Sequence, residues 1–307
     1  MTRTHLDPTR LGDQRVLRSY RYCRRLNARH GKTFFLATRL LAPDQRPAVH
    51  ALYGFARRAD DILDEFDPRR DLAERAGQLD ELAGHFRRRD ADADAVLPAV
   101  VDTADRYRIP AALFDAFLAS MRMDLTVTDY SDRTALDIYV YGSAEVIGLQ
   151  LLPILGTDCA EEAAPYAAAL GKAFQLTNFL RDVGEDLLRD RVYLPADELA
   201  AFDVDRELLR WCLTRRRTDP RVRAALAAQH AHTREVYRFA NAGIALLHRR
   251  SRSCVTTATT LYSEILDRIE DSDFAVFDHR ATVPNRRRAQ VAAAGLVKAW
   301  WARRPDR

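Results

Sequence analysis

The chain has 307 residues, 47% of them hydrophobic, with 48 Lys+Arg against 44 Asp+Glu and a formal charge of +4. That hydrophobic share excludes a disordered chain, and so small a positive excess excludes a basic protein that coats nucleic acid. Lysine occurs only at Lys32, Lys172 and Lys298, so nearly all the positive charge is arginine. The bias fits base composition, and arginine's planar fork also suits phosphate and carboxylate partners better than an ammonium does.

Gly and Pro number only 12 each. Alanine, leucine and arginine dominate, and period-two β-branched runs are missing, so the chain is expected to be all-α. In order, helices are predicted over about Asp13–Arg29, from after Pro43 to before Pro68, Arg69–Arg88, Pro98–Tyr107, Pro110–Thr126 and Asp132–Leu152. Others follow over Glu161–Leu188, Asp205–Arg217, Asp219–Arg250, Cys254–Ser272 and Pro284–Arg303. Between the third and fourth, Arg87–Asp94 reads as a solvated, charge-dense loop. No Gly/Ser linker or composition break divides 1–307, so one domain is expected. Cys23, Cys159, Cys212 and Cys254 form no CxxC pair, and the N-terminus has no apolar leader; both predict a reduced, cytoplasmic protein. The apolar stretch Val146–Leu155 is interrupted by Gln150 and Pro153 and falls short of the ~20 residues a span needs.

The chemistry concentrates on two acidic helix faces. In the first, Tyr53, Arg57, Asp60, Asp61 and Asp64 share one side of a helix, with Asp60 and Asp64 one turn apart. Like charges at that spacing repel unless a cation sits between them. In the second, Gln175, Asn178, Asp182 and Asp186 fall within roughly 80° of arc. Glu185 and Arg181 flank them. Alone, either stripe could be a solvated face. The apolar Leu176, Phe179 and Leu180 around the second turn it inward, and two such stripes suggest opposed walls of one cavity. Hard oxygen donors with room for water suit Mg²⁺, with Mn²⁺ as a substitute. Metal would turn the acids into a site for a diphosphate, helped by Arg57, Arg58, Arg181, Arg189 and Arg191. An aromatic-lined space beyond would shield a carbocation from water.

The segment from Gln175 to Leu194 (QLTNFLRDVGEDLLRDRVYL) resembles the long signature of the squalene/phytoene synthase family. Tyr53–Asp64 matches its DxxxD helix, and the run from Tyr139 to Gly148 (YVYGSAEVIG) its central tyrosine segment. His30–Phe34 is similar to its N-terminal flap, and Tyr262–Asp267 with Arg280–Val283 to its C-terminal helix and tail. The resemblance covers about residues 15–295. It implies an all-α isoprenoid-synthase bundle with a central cavity. It also implies Mg²⁺-dependent head-to-head joining of two allylic isoprenyl diphosphates through a cyclopropylcarbinyl diphosphate. Carried over residue by residue, it implies metal ligation by Asp60, Asp64, Asn178, Asp182 and Asp186. Arg57, Arg181 and Arg191 would contact diphosphate, Gln175 would be a polar cavity residue, and Tyr139 would stand near the reacting carbons. Tyr262 and Arg280 would form a C-terminal diphosphate-binding pair. Many members carry two serines in the flap where this chain has Gly31 and Thr33; Thr33 keeps a hydroxyl and Gly31 does not.

The wording of these motifs is most like bacterial phytoene synthases, which use geranylgeranyl diphosphate. A squalene or dehydrosqualene synthase using farnesyl diphosphate is the nearest alternative. A non-catalytic relative acting in assembly, and an ordinary terpene cyclase, are more distant ones. No reductant motif is present, so no NADPH is expected. Gly31-Lys32-Thr33 imitates a P-loop end, but Leu26 stands where its first glycine is required. Residues 286–307 form a basic tail in which Val291, Leu296, Val297, Trp300 and Trp301 accompany Arg287, Arg288, Lys298, Arg303 and Arg304. Such a stretch either packs on the domain or lies in a membrane interface as a peripheral contact.

Overall fold

The computed structural model describes residues 14–64 and 72–303, with Asp64 described only as the last residue of its helix. The elements are α-helices α1 (Gln14–His30), α2 (Lys32–Thr38), α3 (Arg46–Asp64), α4 (Leu72–Arg87), α5 (Leu97–Arg106), α6 (Ala111–Met123) and α7 (Arg133–Val140). A π-helical turn (Tyr141–Glu145) leads into α8 (Val146–Leu155), followed by α9 (Ala160–Leu188), α10 (Ala196–Ala200), α11 (Arg206–Arg215) and α12 (Pro220–Ala242). A 3₁₀ turn (Gly243–Leu246), α13 (Arg249–Asp271) and α14 (Asn285–Ala302) complete the all-α architecture. Among the described residues the sole β pairing is one bridge between Thr157 and Leu247.

Local chemistry sets the helix starts. The carboxylates of Asp132, Asp205 and Asp219 accept hydrogen bonds from the backbone amides of Ala135, Leu208 and Arg221, capping α7, α11 and α12. Three expectations need correcting. The seven-residue α2 and five-residue α10 are too short for a periodicity reading to detect. The expected helix Asp219–Arg250 breaks at Gly243, where a Cβ would lie 2.1 Å from Cβ of Tyr166 on α9; only glycine permits that crossing, and α13 starts afresh at Arg249. Nor does the apolar stretch end at ten residues. The π turn joins α7 to α8 as one run, Arg133–Leu155, long and apolar enough by length and composition to cross a membrane, with 44% of that window buried.

Arg87–Asp94 is largely exposed, as expected, and also carries surface ion pairs. Arg15 pairs with Asp92, and Arg58 donates to Asp94 at 2.7 Å.

Two apolar cores frame the molecule. One joins α1, α3, α4, α5 and α6 around Phe55, Phe86 and Phe114. The other joins α9, α11, α12 and α13 around Leu180, Leu226 and Leu266. Close backbone approach locks α9 against α8 and the π turn: a Cβ on Gly171 would come within 2.3 Å of the Ala144 carbonyl oxygen. An aromatic seam of Tyr130, Tyr139, Phe179 and Tyr193 lies beside this junction. The polar face of α9 therefore looks toward α3.

Candidate active site

A cavity of about 280 Å³ opens between the first core, at Leu63, and the aromatic seam of Tyr139, Phe179 and Tyr193. Helix α3 contributes Asp60 and Leu63, α9 contributes Gln175, Asn178, Phe179, Arg181, Asp182 and Asp186, and α7 contributes Tyr139. The segment after α9 adds Arg189, Arg191 and Tyr193, and the end of α6 adds Asp124. Among the described residues, Asp60 is the member of the first acidic face that shares this space with the second face.

Asp182 is the most heavily engaged carboxylate. Arg181 donates to it from Nε at 2.7 Å and from Nη2 at 2.5 Å. Arg280 adds a second fork, at 2.7 and 2.9 Å. Burial pushes the Asp182 carboxyl up, but the two guanidinium forks outweigh it and hold the group below its ordinary value. Asp186, one turn later, has the opposite fate. Burial, and then the neighbouring Asp182 charge, raise it to about 7 despite Arg189 and Arg191. Adjacent carboxylates pushed apart in this way mark a functional site more often than a structural one.

Asn178 hydrogen-bonds to Gln175 through Nδ2 at 3.3 Å, while its Oδ1 is buried with no hydrogen-bond partner. An orphaned buried oxygen costs free energy unless a cation or donor reaches it. Asn178 Oδ1 and the Asp182 and Asp186 carboxylates on the same helix face are hard-oxygen donors of the kind that suits Mg²⁺. Asp60 faces the same cavity. Among the described residues no three His, Cys, Asp or Glu side chains converge at ligand spacing. The Asp64 side chain, the fourth carboxylate of the expected set, lies outside the described residues.

Five other expected residues are not among those that line the cavity: Arg58 is one, paired with Asp94 at 2.7 Å. Arg57 forms an ion pair with Asp61 on its own helix. Arg280 reaches Asp182 from the segment after α13 with its side chain 46% exposed, a placement at the edge of the site. Tyr262 on α13 is buried, and its ring stacks 4.9 Å from Phe34 and 4.5 Å from Phe174. Thr33 stands in the first turn of α2, next to Phe34. Two lining residues had no signal in the spacing. Asp124 accepts from Tyr139 and Tyr193, residues 15 and 69 positions away. Tyr193 lay inside the signature segment without standing out from it.

The sequence profile of the squalene/phytoene synthase family matches residues 27–287. A phytoene synthase of Arthrospira platensis is 36% identical over 299 residues, covering 92% of this chain and 93% of its own length. A phytoene synthase of Mycobacterium tuberculosis is 33% identical over 285 residues, covering 92% of each. Among solved structures, a dehydrosqualene synthase superposes with a TM-score of 0.82 at 26% identity, covering 92% of this chain and 96% of that one. A squalene synthase of Alicyclobacillus acidocaldarius shares the fold, with a TM-score of 0.75 at 24% identity over 84% of this chain and 95% of its own. By profile, length and fold, the chain belongs to the squalene/phytoene synthase family of prenyl-transferring enzymes.

Proposed function

We propose that this enzyme is a phytoene synthase, a single catalytic domain that joins two geranylgeranyl diphosphates head to head with Mg²⁺. The observation that carries the reading is the shared cavity, where Asp60 on α3 faces the Asn178, Asp182 and Asp186 stripe of α9 beside an aromatic wall. Whole-length similarity to curated phytoene synthases supports the choice within the family.

The roles follow from charge and position. Asp60, Asn178, Asp182 and Asp186, with Asp64 expected to join them, would hold the metal, which supplies Lewis-acid neutralisation of the leaving diphosphate. Arg181, Arg189 and Arg191 line the same space and would take up the remaining diphosphate charge. Arg57, Arg280 and Tyr262 would complete that contact from the rim, and Thr33 from the flap. Phe179, Tyr139 and Tyr193 would present ring faces to the allylic cation and exclude water. At about 280 Å³ the cavity lies just below the usual span of ligand pockets, about 300–1,000 Å³. It would take the polar heads, and the hydrocarbon chains would need further space beyond it.

Incubation with farnesyl or geranylgeranyl diphosphate and Mg²⁺, followed by mass analysis of the hydrocarbon, tests this. A C40 hydrocarbon from the C20 substrate is the expected product. A C30 product from the C15 substrate alone would establish the second reading, a dehydrosqualene or squalene synthase, which the 0.82 superposition favours. Turnover of neither would indicate a non-catalytic relative.

We also infer a peripheral lipid contact through α14. Its Ala292, Gly295 and Ala299 pack inward, whereas Leu296, Val297, Trp300 and Trp301 are 52–58% exposed beside Lys298. Wild-type protein should float with anionic liposomes and the Trp300→Ala/Trp301→Ala variant should not; equal flotation removes the inference.

A further inference from the structure

Among the described residues that line the cavity, Asp124 is the acid that belongs to neither acidic helix face. It caps the C-terminus of α6 and is 9% exposed. Its two carboxylate oxygens are engaged separately. The Tyr139 hydroxyl donates to Oδ2 at 2.8 Å, and the Tyr193 hydroxyl donates to Oδ1 at 2.9 Å. Arg191 Nη2 donates to the Asp124 carbonyl at 2.7 Å, tying the post-α9 segment to the same point.

A phenol has one hydrogen and two acceptor lone pairs. With both hydrogens committed to Asp124, both phenol oxygens are left as acceptors: Arg191 Nη1 donates to that of Tyr193 at a long 3.5 Å, and the remaining lone pairs are available to the cavity. The rings form one wall: Tyr139 and Tyr193 centroids lie 5.4 Å apart, and Tyr193 stacks on Phe179 at 4.4 Å and 5°. In a poorly solvated wall, a negative charge behind each hydroxyl also polarises the oxygen and ring toward greater electron density. A buried carboxylate is costly, and packing alone would be served as well by an amide.

We propose that Asp124 is a positioning residue that acts through Tyr139 and Tyr193, turning phenol lone pairs and ring faces, and not O–H hydrogens, toward the carbocations formed in the cavity. This rests on the prenyl-transfer reading above. Asp124→Asn tests it, because the amide must donate to one phenol, whose own hydrogen then points into the cavity.

With the full chain, Mg²⁺ and either allylic diphosphate, Asp124→Asn should lower kcat about 10–100-fold and leave KM within about threefold, less than the about 10²–10³-fold that loss of a direct preorganised donor costs, because Asp124 acts through the two phenols. A larger share of substrate should leave as prenyl alcohol or as the cyclopropyl diphosphate. On a Tyr139→Phe/Tyr193→Phe background the same substitution should change kcat less than about twofold, because the groups it acts through are gone. Wild-type kcat and product ratio in Asp124→Asn would overturn the proposal. So would an undiminished kcat loss on the double-Phe background, which marks a merely structural role. Should Asp124→Asn melt below the assay temperature, the double-Phe variant decides: the same product shift supports the proposal, and unchanged products overturn it. Absence of turnover by the wild-type protein would instead overturn the prenyl-transfer reading, and this inference with it.

Discussion

Asp186→Asn should make the metal-free protein more stable while removing its response to Mg²⁺. Burial and the Asp182 charge raise the Asp186 carboxyl from an ordinary 3.8 to about 7. Each pH unit of that difference corresponds to about 1.4 kcal/mol, an upper bound near ~4 kcal/mol. The side chain opens on the cavity, where water screens it, so about 2 kcal/mol is the working figure. The native state binds this proton more tightly than the unfolded chain does. The stabilisation is therefore complete below about pH 4 and is lost as the pH rises through about 7. In EDTA the wild-type melting temperature should fall across that window. Asp186→Asn should not fall with it, and at pH 8 should melt roughly 4 °C above wild type, at about 2 °C per kcal/mol for a chain of this size. Saturating Mg²⁺ at about 100 times its Kd should return about 2.7 kcal/mol to wild type and little to the variant. Calorimetry from pH 4 to 8 reads all of this. Parallel pH profiles for the two proteins in EDTA would refute the reasoning.

Asp60→Asn and Asp182→Asn should each abolish turnover with helicity by circular dichroism unchanged; full activity in both would remove the metal assignment. Arg280→Ala deletes one of the two forks on Asp182, so the Asp182 carboxyl should titrate higher and diphosphate KM should rise about tenfold, consistent with a charge-assisted contact of about 1.5–3 kcal/mol. An unchanged KM would place Arg280 outside substrate binding. Gly171→Ala drives a methyl against the Ala144 carbonyl at 2.3 Å and should destabilise by at least the 1–3 kcal/mol typical of overpacking, read as a lower urea midpoint.

Helix type and order were legible because α1, α3 and α13 are long and strongly patterned, α9 is long, and Asp132, Asp205 and Asp219 stand at helix starts as N-caps. The stripe on α9 was legible for the same reason: its four polar positions sit at three- and four-residue spacing, which one helix converts directly into one face. Asp124 was not, because its meaning depends on hydroxyls 15 and 69 residues away, a relation no local period encodes. The break at Gly243 escaped for a similar reason. Nothing in the local alanine-rich pattern announces that Tyr166 must pass through that point.

The charge of +4 conceals the main electrostatic fact of the site. Asp182 is neutralised by the forks of Arg181 and Arg280, so the arginines occupy the acid when no cation does. Among the described residues Asp186 has no comparable fork, and burial, then the Asp182 charge, raises its carboxyl to about 7. The two carboxylates thus answer the same field by different routes, one through arginine and one through protonation. Either route leaves the stripe close to neutral. A lysine in place of Arg181 or Arg280 could supply the charge but not the paired bonds to both Asp182 oxygens, which only a planar fork makes. At these positions the arginine excess therefore has a geometric use, whatever set the composition elsewhere.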